Sequence, residues 1–260
     1  MVIIGMRELL EAVAAGELSV SEAEASLSGY VTGDAGRFDA ARTDRSGVPE
    51  VILAPGKTPD ETAAMAVLAV ETTDRALITR ADAATVAEVT ERIGEKYPDA
   101  TVEHDERAAT IVVHSPAFDP PSLDADVGIV TAGTSDAVPA GETATIVEEI
   151  GARVMRIDDV GVAGLARLID RLDDCRAQDV LVVAAGREGA LPTVVAGLVD
   201  VPLIGLPVSN GYGHGGDGEA ALAGMLQSCT PITVVNIDSG FAAGAQAGLI
   251  ARTVDAARRE

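Results

Sequence analysis

The second half of the chain alternates short apolar runs with longer stretches of helical period. Val127–Thr131, Val154–Ile157, Val180–Ala184, Leu203–Val208 and Ile232–Ile237 are apolar on both faces. Strands of a parallel sheet buried between two helix layers have that character, so five such strands are predicted. The first half is less regular. Met6–Ala15 places Leu9, Leu10 and Val13 on one helical face, and Ser19 or Ser21 is positioned to cap a second helix running through Leu27. Val51–Leu53 reads as a strand. Thr58-Pro59-Asp60-Glu61 is a capping box with proline at the first helical position, opening a helix to about Ala69. A strand over Ala76–Thr79, a helix over Ala81–Glu95 and a strand pair, Thr101–His104 with Ala109–His114, complete this half.

Pro116, Pro120 and Pro121 interrupt the segment Ser115–Asp126, which is expected to be a linker. Two domains follow: a small mixed α+β domain over residues 1–120, and a doubly wound, flavodoxin-like parallel α/β domain over residues 121–260. With 260 residues, 47% of them hydrophobic, the chain has enough apolar material for both cores.

Charge narrows the partners. There are 41 acidic against 19 basic residues, a formal net charge of −22, and Lys57 and Lys96 are the two lysines. Such a surface repels nucleic-acid phosphates and anionic membranes, so neither is expected as a partner. The six aromatic residues are too few for a base-stacking platform. Carboxylates spread through every segment read as a hydrated surface suited to high salt. The longest apolar candidate, Val194–Val208, is broken by Asp200, Pro202 and Pro207, and Arg7 and Glu8 interrupt the start before a signal-like apolar region develops. A cytoplasmic protein is the expectation.

In a doubly wound sheet ligands bind beyond the carboxyl ends of the strands, so the loops there carry the candidate chemistry. They are Ala132-Gly133-Thr134-Ser135-Asp136, Asp158-Asp159-Val160-Gly161, Ala185-Gly186-Arg187-Glu188-Gly189-Ala190-Leu191-Pro192, Ser209-Asn210-Gly211-Tyr212-Gly213-His214-Gly215-Gly216-Asp217 and Asp238-Ser239-Gly240-Phe241-Ala242-Ala243-Gly244. Glycines let backbone approach a phosphate, and hydroxyls and helix amino termini supply donors. Gly133, Thr134, Ser135, Gly186, Arg187, Gly189, Asn210, Gly211, Tyr212, His214 and Gly215 are therefore expected to bind an anionic, nucleotide-like substrate. No GxGxxG follows the first strand and no P-loop is present, which removes support for nicotinamide redox chemistry and for ATP hydrolysis. Two cysteines make no disulfide framework. Cys175, near the end of a helix, is expected to be structural, and Cys229 in Gln227-Ser228-Cys229-Thr230-Pro231 to be a nucleophile.

These motifs carry a family resemblance. The third loop with the helix that follows it, the run Pro202-Leu203-Ile204-Gly205-Leu206-Pro207-Val208 and the closing Gly240–Ala251 resemble the aminoimidazole ribonucleotide carboxylase and mutase fold of purine synthesis, over about residues 125 to 257, and the GTSD at Gly133–Asp136 is similar to that family's phosphate-binding first loop. In the purine enzymes a proton-transferring histidine precedes the Leu-Pro of the third loop. Here that position is Ala190. AGREGALP, SNGYGHGG, SCTPITVVNIDSGFAAG and the upstream RSGVPEVILAPGKT instead resemble the LarB family, over about residues 5 to 257.

The resemblance implies carboxylation of the pyridinium ring of nicotinic acid adenine dinucleotide by carbon dioxide or bicarbonate. It also implies hydrolysis of the phosphoanhydride, giving pyridinium-3,5-biscarboxylic acid mononucleotide and AMP for nickel-pincer cofactor synthesis. Cys229 would bond transiently to the pyridinium, Glu188 would be functional, and Asp136 or Glu188 would serve as base. Arg187, His214 and a carboxylate-held magnesium ion are the candidates for neutralising the leaving phosphate. A homo-octamer is implied as well. Cys229 follows a helix that starts at the carboxyl edge of the sheet and runs back along it, so the thiol is expected near the opposite edge, in a site shared between subunits.

Overall fold

A computed structural model describes residues 6–17, 23, 27 and 29–260. They divide into two compact units, Met1–Asp119 and Pro120–Glu260, parted within the proline-bearing segment.

The first unit runs α1 (Met6–Ala15), β1 (Val31–Gly33), β2 (Gly36–Phe38), α2 (Arg42–Ser46), β3 (Ile52–Leu53), α3 (Pro59–Thr73), β4 (Arg75–Thr79), α4 (Ala83–Lys96), β5 (Thr101–Asp105) and β6 (Thr110–His114). Four strands form a sheet in the order β3-β4-β6-β5, with β3 and β4 parallel and the other pairs antiparallel. Its register aligns Ile52, Ile78 and Ile111, which pack with Ala63, Ala66, Val70, Val89 and Ile93 of α3 and α4. The expected capping box forms: the Thr58 hydroxyl accepts from the Glu61 amide at 3.2 Å, and the Glu61 carboxylate accepts from the Thr58 amide at 2.8 Å. The hairpin of β1 and β2 was not anticipated, because three-residue strands are too short to show a period. The helix cap expected at Ser19 or Ser21 lies outside the described residues.

The second unit runs β7 (Asp126–Thr131), α5 (Ala137–Ile150), β8 (Arg153–Ile157), α6 (Leu165–Asp170), α7 (Leu172–Arg176), β9 (Val180–Ala185), α8 (Ala190–Ala196), β10 (Leu203–Pro207), α9 (Glu219–Leu226), β11 (Thr233–Val234) and α10 (Gly240–Arg259). The sheet is parallel throughout, in the order β11-β10-β9-β7-β8. It is the expected doubly wound, flavodoxin-like architecture. Alternate residues of one strand serve opposite layers: Val182 and Ala184 join Ala140, Val147, Ala243 and Ala247, whereas Leu181 and Val183 join Leu168, Cys175, Leu191 and Met225. The chain steps from β7 out to β8 and then crosses back to β9, so the direction of winding reverses between β7 and β9.

Glycines let α10 lie close on α5. A Cβ added at Gly244 would stand 2.9 Å from Ile146 Cβ and from the Thr143 carbonyl, and one at Gly248 would stand 2.4 Å from Ile150 Cδ1. At the far end of α10, Arg258 pairs with Asp179 at 2.7 Å, and Asp255 accepts from the Asp124 amide at 2.9 Å.

Two strands depart from expectation, both at sheet edges. In β8, Arg153 and Met155 are exposed, because one flank has no neighbouring strand. The run Ile232–Ile237 contributes only a two-residue ladder. Val235 and Asp238 still donate to Gly205 and Pro207 of β10, but the Ile237 amide turns to the Asn236 side chain, 2.9 Å away, and interrupts the pairing.

Candidate active site

At the switch point the loops following β7, β9 and β10 interlock. The chain leaves β7 through a single helical turn, Thr134–Asp136, directly before α5. Asp136, 2% exposed, accepts from the Gly133 amide at 2.8 Å through one carboxylate oxygen and from Asn210 Nδ2 at 2.6 Å through the other. Asn210 Nδ2 also donates to Ser135 Oγ at 2.7 Å. Burial raises the Asp136 carboxyl above the usual carboxylate range, and donation from the amides of Gly133, Asn210, Ala132 and Gly186 opposes that rise.

The loop after β9 closes tightly, with the Gly189 amide donating to the Gly186 carbonyl at 3.0 Å. Gly189 is left-handed at φ 64°, and a Cβ there would stand 2.5 Å from the Ala221 carbonyl oxygen. Gly186 is needed for a different reason. A Cβ on it would come within 1.7 Å of Asn210 Oδ1, so its missing side chain is the space in which the Asn210 amide sits. Arg187, also left-handed at φ 54°, stacks its guanidinium over the exposed Tyr212 ring, 4.2 Å from the centroid. Gly224 allows α9 to approach this loop, since a Cβ there would lie 2.3 Å from the Glu188 carbonyl oxygen.

Asp136, Ser135, Gly186, Arg187, Asn210 and Tyr212 are therefore gathered at one end of the sheet. Glu188 and Thr134 are exposed on the same loops. His214 is exposed beyond Tyr212 and makes no hydrogen bond to the other loops among the described residues. Gly211 lies against Arg187, where a Cβ would stand 3.3 Å from that amide nitrogen. Gly215 is left-handed at φ 72°. Among the described residues no group of three or more histidine, cysteine or carboxylate side chains is placed to hold a metal ion.

Cys229 stands elsewhere. It is exposed, four residues ahead of β11, and Pro231 lines a cavity with Pro202 and Leu203 at the beginning of β10. The thiol therefore belongs to the amino edge of the sheet. The five residues of β10 separate that edge from the loops by roughly 17 Å. The other cysteine, Cys175, is buried within the α6–α7 layer, where burial raises its thiol.

Two supporting residues escaped notice in the sequence. The Asp238 carboxylate accepts from the Ser209 amide at 2.9 Å and so fixes the start of the loop that carries Asn210. Thr131 Oγ1 donates to Asp158 at 3.0 Å and accepts from the Asp159 amide at 3.2 Å, tying the second loop beneath the first. Thr131 closes β7 and Asp238 follows the apolar run Ile232–Ile237, positions that could have flagged them, although their partners are distant in sequence.

The family model described as AIR carboxylase matches residues 126–260, and that described as LarB/PurE-like N-terminal domain matches residues 30–115. The uncharacterized protein MJ0165 of Methanocaldococcus jannaschii is 37% identical over 254 residues, covering 95% of this chain and 97% of its own length. Among solved structures, Treponema denticola PurE is similar at 19% identity with a TM-score of 0.38, covering 52% of this chain and 92% of that one. A PurE2 variant from the same organism is similar at 19% identity with a TM-score of 0.37, with the same coverages. No helix among the described residues is long and apolar enough to cross a membrane.

Proposed function

The chain belongs to the LarB family within the AIR carboxylase superfamily, and on that premise we propose that it carboxylates the pyridinium of nicotinic acid adenine dinucleotide and cleaves the phosphoanhydride. The observation that carries this reading is the contrast between its cysteines: Cys175 is buried, and Cys229, in the motif the family resemblance marks, is exposed.

A pyridinium is too electron-poor to attack carbon dioxide. Addition of the Cys229 thiolate to the carbon para to nitrogen places the electron pair in an enamine, whose unsubstituted meta carbon then forms the new bond to carbon dioxide. A base removes the proton from that carbon, and the returning electron pair expels the thiolate and restores the aromatic ring. Asp136 and Glu188 are the candidate bases. A carboxylate raised by burial is a stronger base than a solvated one, which suits Asp136. Attack of water on the anhydride then releases AMP. Arg187, steadied on Tyr212, and the exposed His214 are the groups available to offset charge on the leaving phosphate. Ala190 stands where the purine enzymes carry their proton-transferring histidine, so this base must come from another residue.

The separation of Cys229 from the loop cradle supports a site built from two copies of the chain within a homo-octamer. The thiol of one copy would meet the cradle of another. Replacement of Cys229 by Ser tests the reaction. Loss of carboxylated product with an unchanged melting temperature is the expected result, and product formation at the wild-type rate would contradict it.

A further inference from the structure

Asn210 is placed by its loop among the residues expected to touch substrate, yet its amide nitrogen is committed within the protein. Nδ2 donates to both Ser135 Oγ and Asp136 Oδ1, and Oδ1 occupies the space above Gly186. One amide thus joins three loops that follow three different strands, and at the centre of the arrangement is a carboxylate 2% exposed. The orientation is chemically determined, because an ionised carboxylate can only accept and the amide nitrogen can only donate.

We propose that Asn210 is a positioning residue that acts through Asp136, locking the carboxylate across the loop junction as the proton acceptor of the reaction. This inference rests on the carboxylation reading above. An aspartate without that donor would be free to rotate, and burial would favour its neutral form, which cannot accept a proton. The groups facing Asp136 are the backbone amides of Ala132, Gly133 and Gly186 and the Asn210 side chain, and none of them titrates. Arg187, on the neighbouring loop, is stacked on Tyr212. Among the described residues, Asn210 is therefore the side chain hydrogen-bonded to the acid whose removal leaves the backbone donors around it in place.

Removing a donor from an ionised acceptor raises the acid further, so the acidic limb of the kcat/KM profile should move up. For Asn210→Ala the displacement should be about 1 pH unit. Asn210→Asp keeps the shape but sets a second carboxyl against Asp136, and its limb should move at least as far. Asn210→Gln, which retains the donor, should recover part of the wild-type position. Melting temperatures supply a readout independent of activity. The bond is stronger to the ionised carboxylate, so the gap between wild type and Asn210→Ala should widen as pH rises from the usual carboxylate range near 4 through the raised Asp136 value, and it should shrink when both proteins carry Asp136→Ala. A limb that stays in place, or a gap indifferent to pH and to Asp136, overturns the inference while leaving the carboxylation reading intact. If wild type makes no carboxylated product but the melting gap behaves as described, the carboxylation reading fails and the Asn210–Asp136 coupling stands.

Discussion

Gly186→Ala should be costly even though its backbone accepts a side chain. The added Cβ would stand 1.7 Å from Asn210 Oδ1, 2.9 Å from Asn210 Cγ and 3.2 Å from the Val208 carbonyl oxygen. The two closest atoms belong to a side chain that can rotate, so the backbone can stay in place and the Asn210 amide swings out. Its bonds to Ser135 and Asp136 are then lost. A bond to a carboxylate contributes about 1.5 to 3 kcal/mol and a neutral one about 1 kcal/mol, while alanine in place of glycine recovers roughly 0.4 to 1 kcal/mol by restricting the unfolded chain. The net cost is about 2 to 3 kcal/mol, or a melting temperature lower by roughly 8 to 12 °C for a domain of this size. Thermal unfolding followed by circular dichroism measures it, with Gly133→Ala as control. At Gly133 the backbone is extended and the nearest atom to an added Cβ is Ser135 Oγ at 3.9 Å, so the change should stay within about 0.5 kcal/mol. A Gly186→Ala protein melting within about 2 °C of wild type, or a control that falls as far, would refute the interlock.

Mixed assemblies of Cys229→Ala and Asp136→Asn subunits should regain part of the carboxylation that each variant lacks alone, because some shared sites inherit both intact groups. Mixtures without recovery, or full activity in a monomer, would count against the two-copy site. Arg153 lowers the Asp126 carboxyl by hydrogen bonding and charge, so this pair stabilises the fold above the unfolded value near pH 4, and its contribution is lost as pH falls through the lower folded value. Arg153→Gln should therefore reduce the melting temperature at pH 7, with the deficit closing as pH falls below the usual carboxylate range, and a deficit that persists unchanged in acid would contradict that. At a net charge of −22, self-repulsion should weaken as salt screens it, so the melting temperature should rise between about 0.1 M and 2 M potassium chloride, and a flat or falling trend would remove the reading of a salt-suited surface.

The interior strands are legible in the sequence because they are apolar on both faces, as in Val180–Ala185, all of it buried. The edges are less so. Ile232–Ile237 has the composition of a strand, but pairing on an edge is decided by backbone donors, and the Asn236 side chain takes one of them. The site is legible as a set of loops. Once the sheet is doubly wound, its carboxyl ends can be named, and the separation of Cys229 from them follows from chain direction. The interlock of Asp136, Gly186 and Asn210 is not legible, since it joins residues 74 positions apart through an amide whose partners only the folded loops bring within reach. Asn210 consequently reads as a substrate contact when its sequence neighbours are all that is known, and as a structural clamp once its partners are visible.

The most direct test of the account is to incubate the purified protein with nicotinic acid adenine dinucleotide and 13C-labelled bicarbonate and weigh the nucleotide products. The account predicts AMP together with a pyridinium mononucleotide that carries one additional, 13C-labelled carboxylate on its ring, and neither product from the Cys229→Ser protein. Recovery of the intact dinucleotide, or of AMP beside an uncarboxylated mononucleotide, would contradict it.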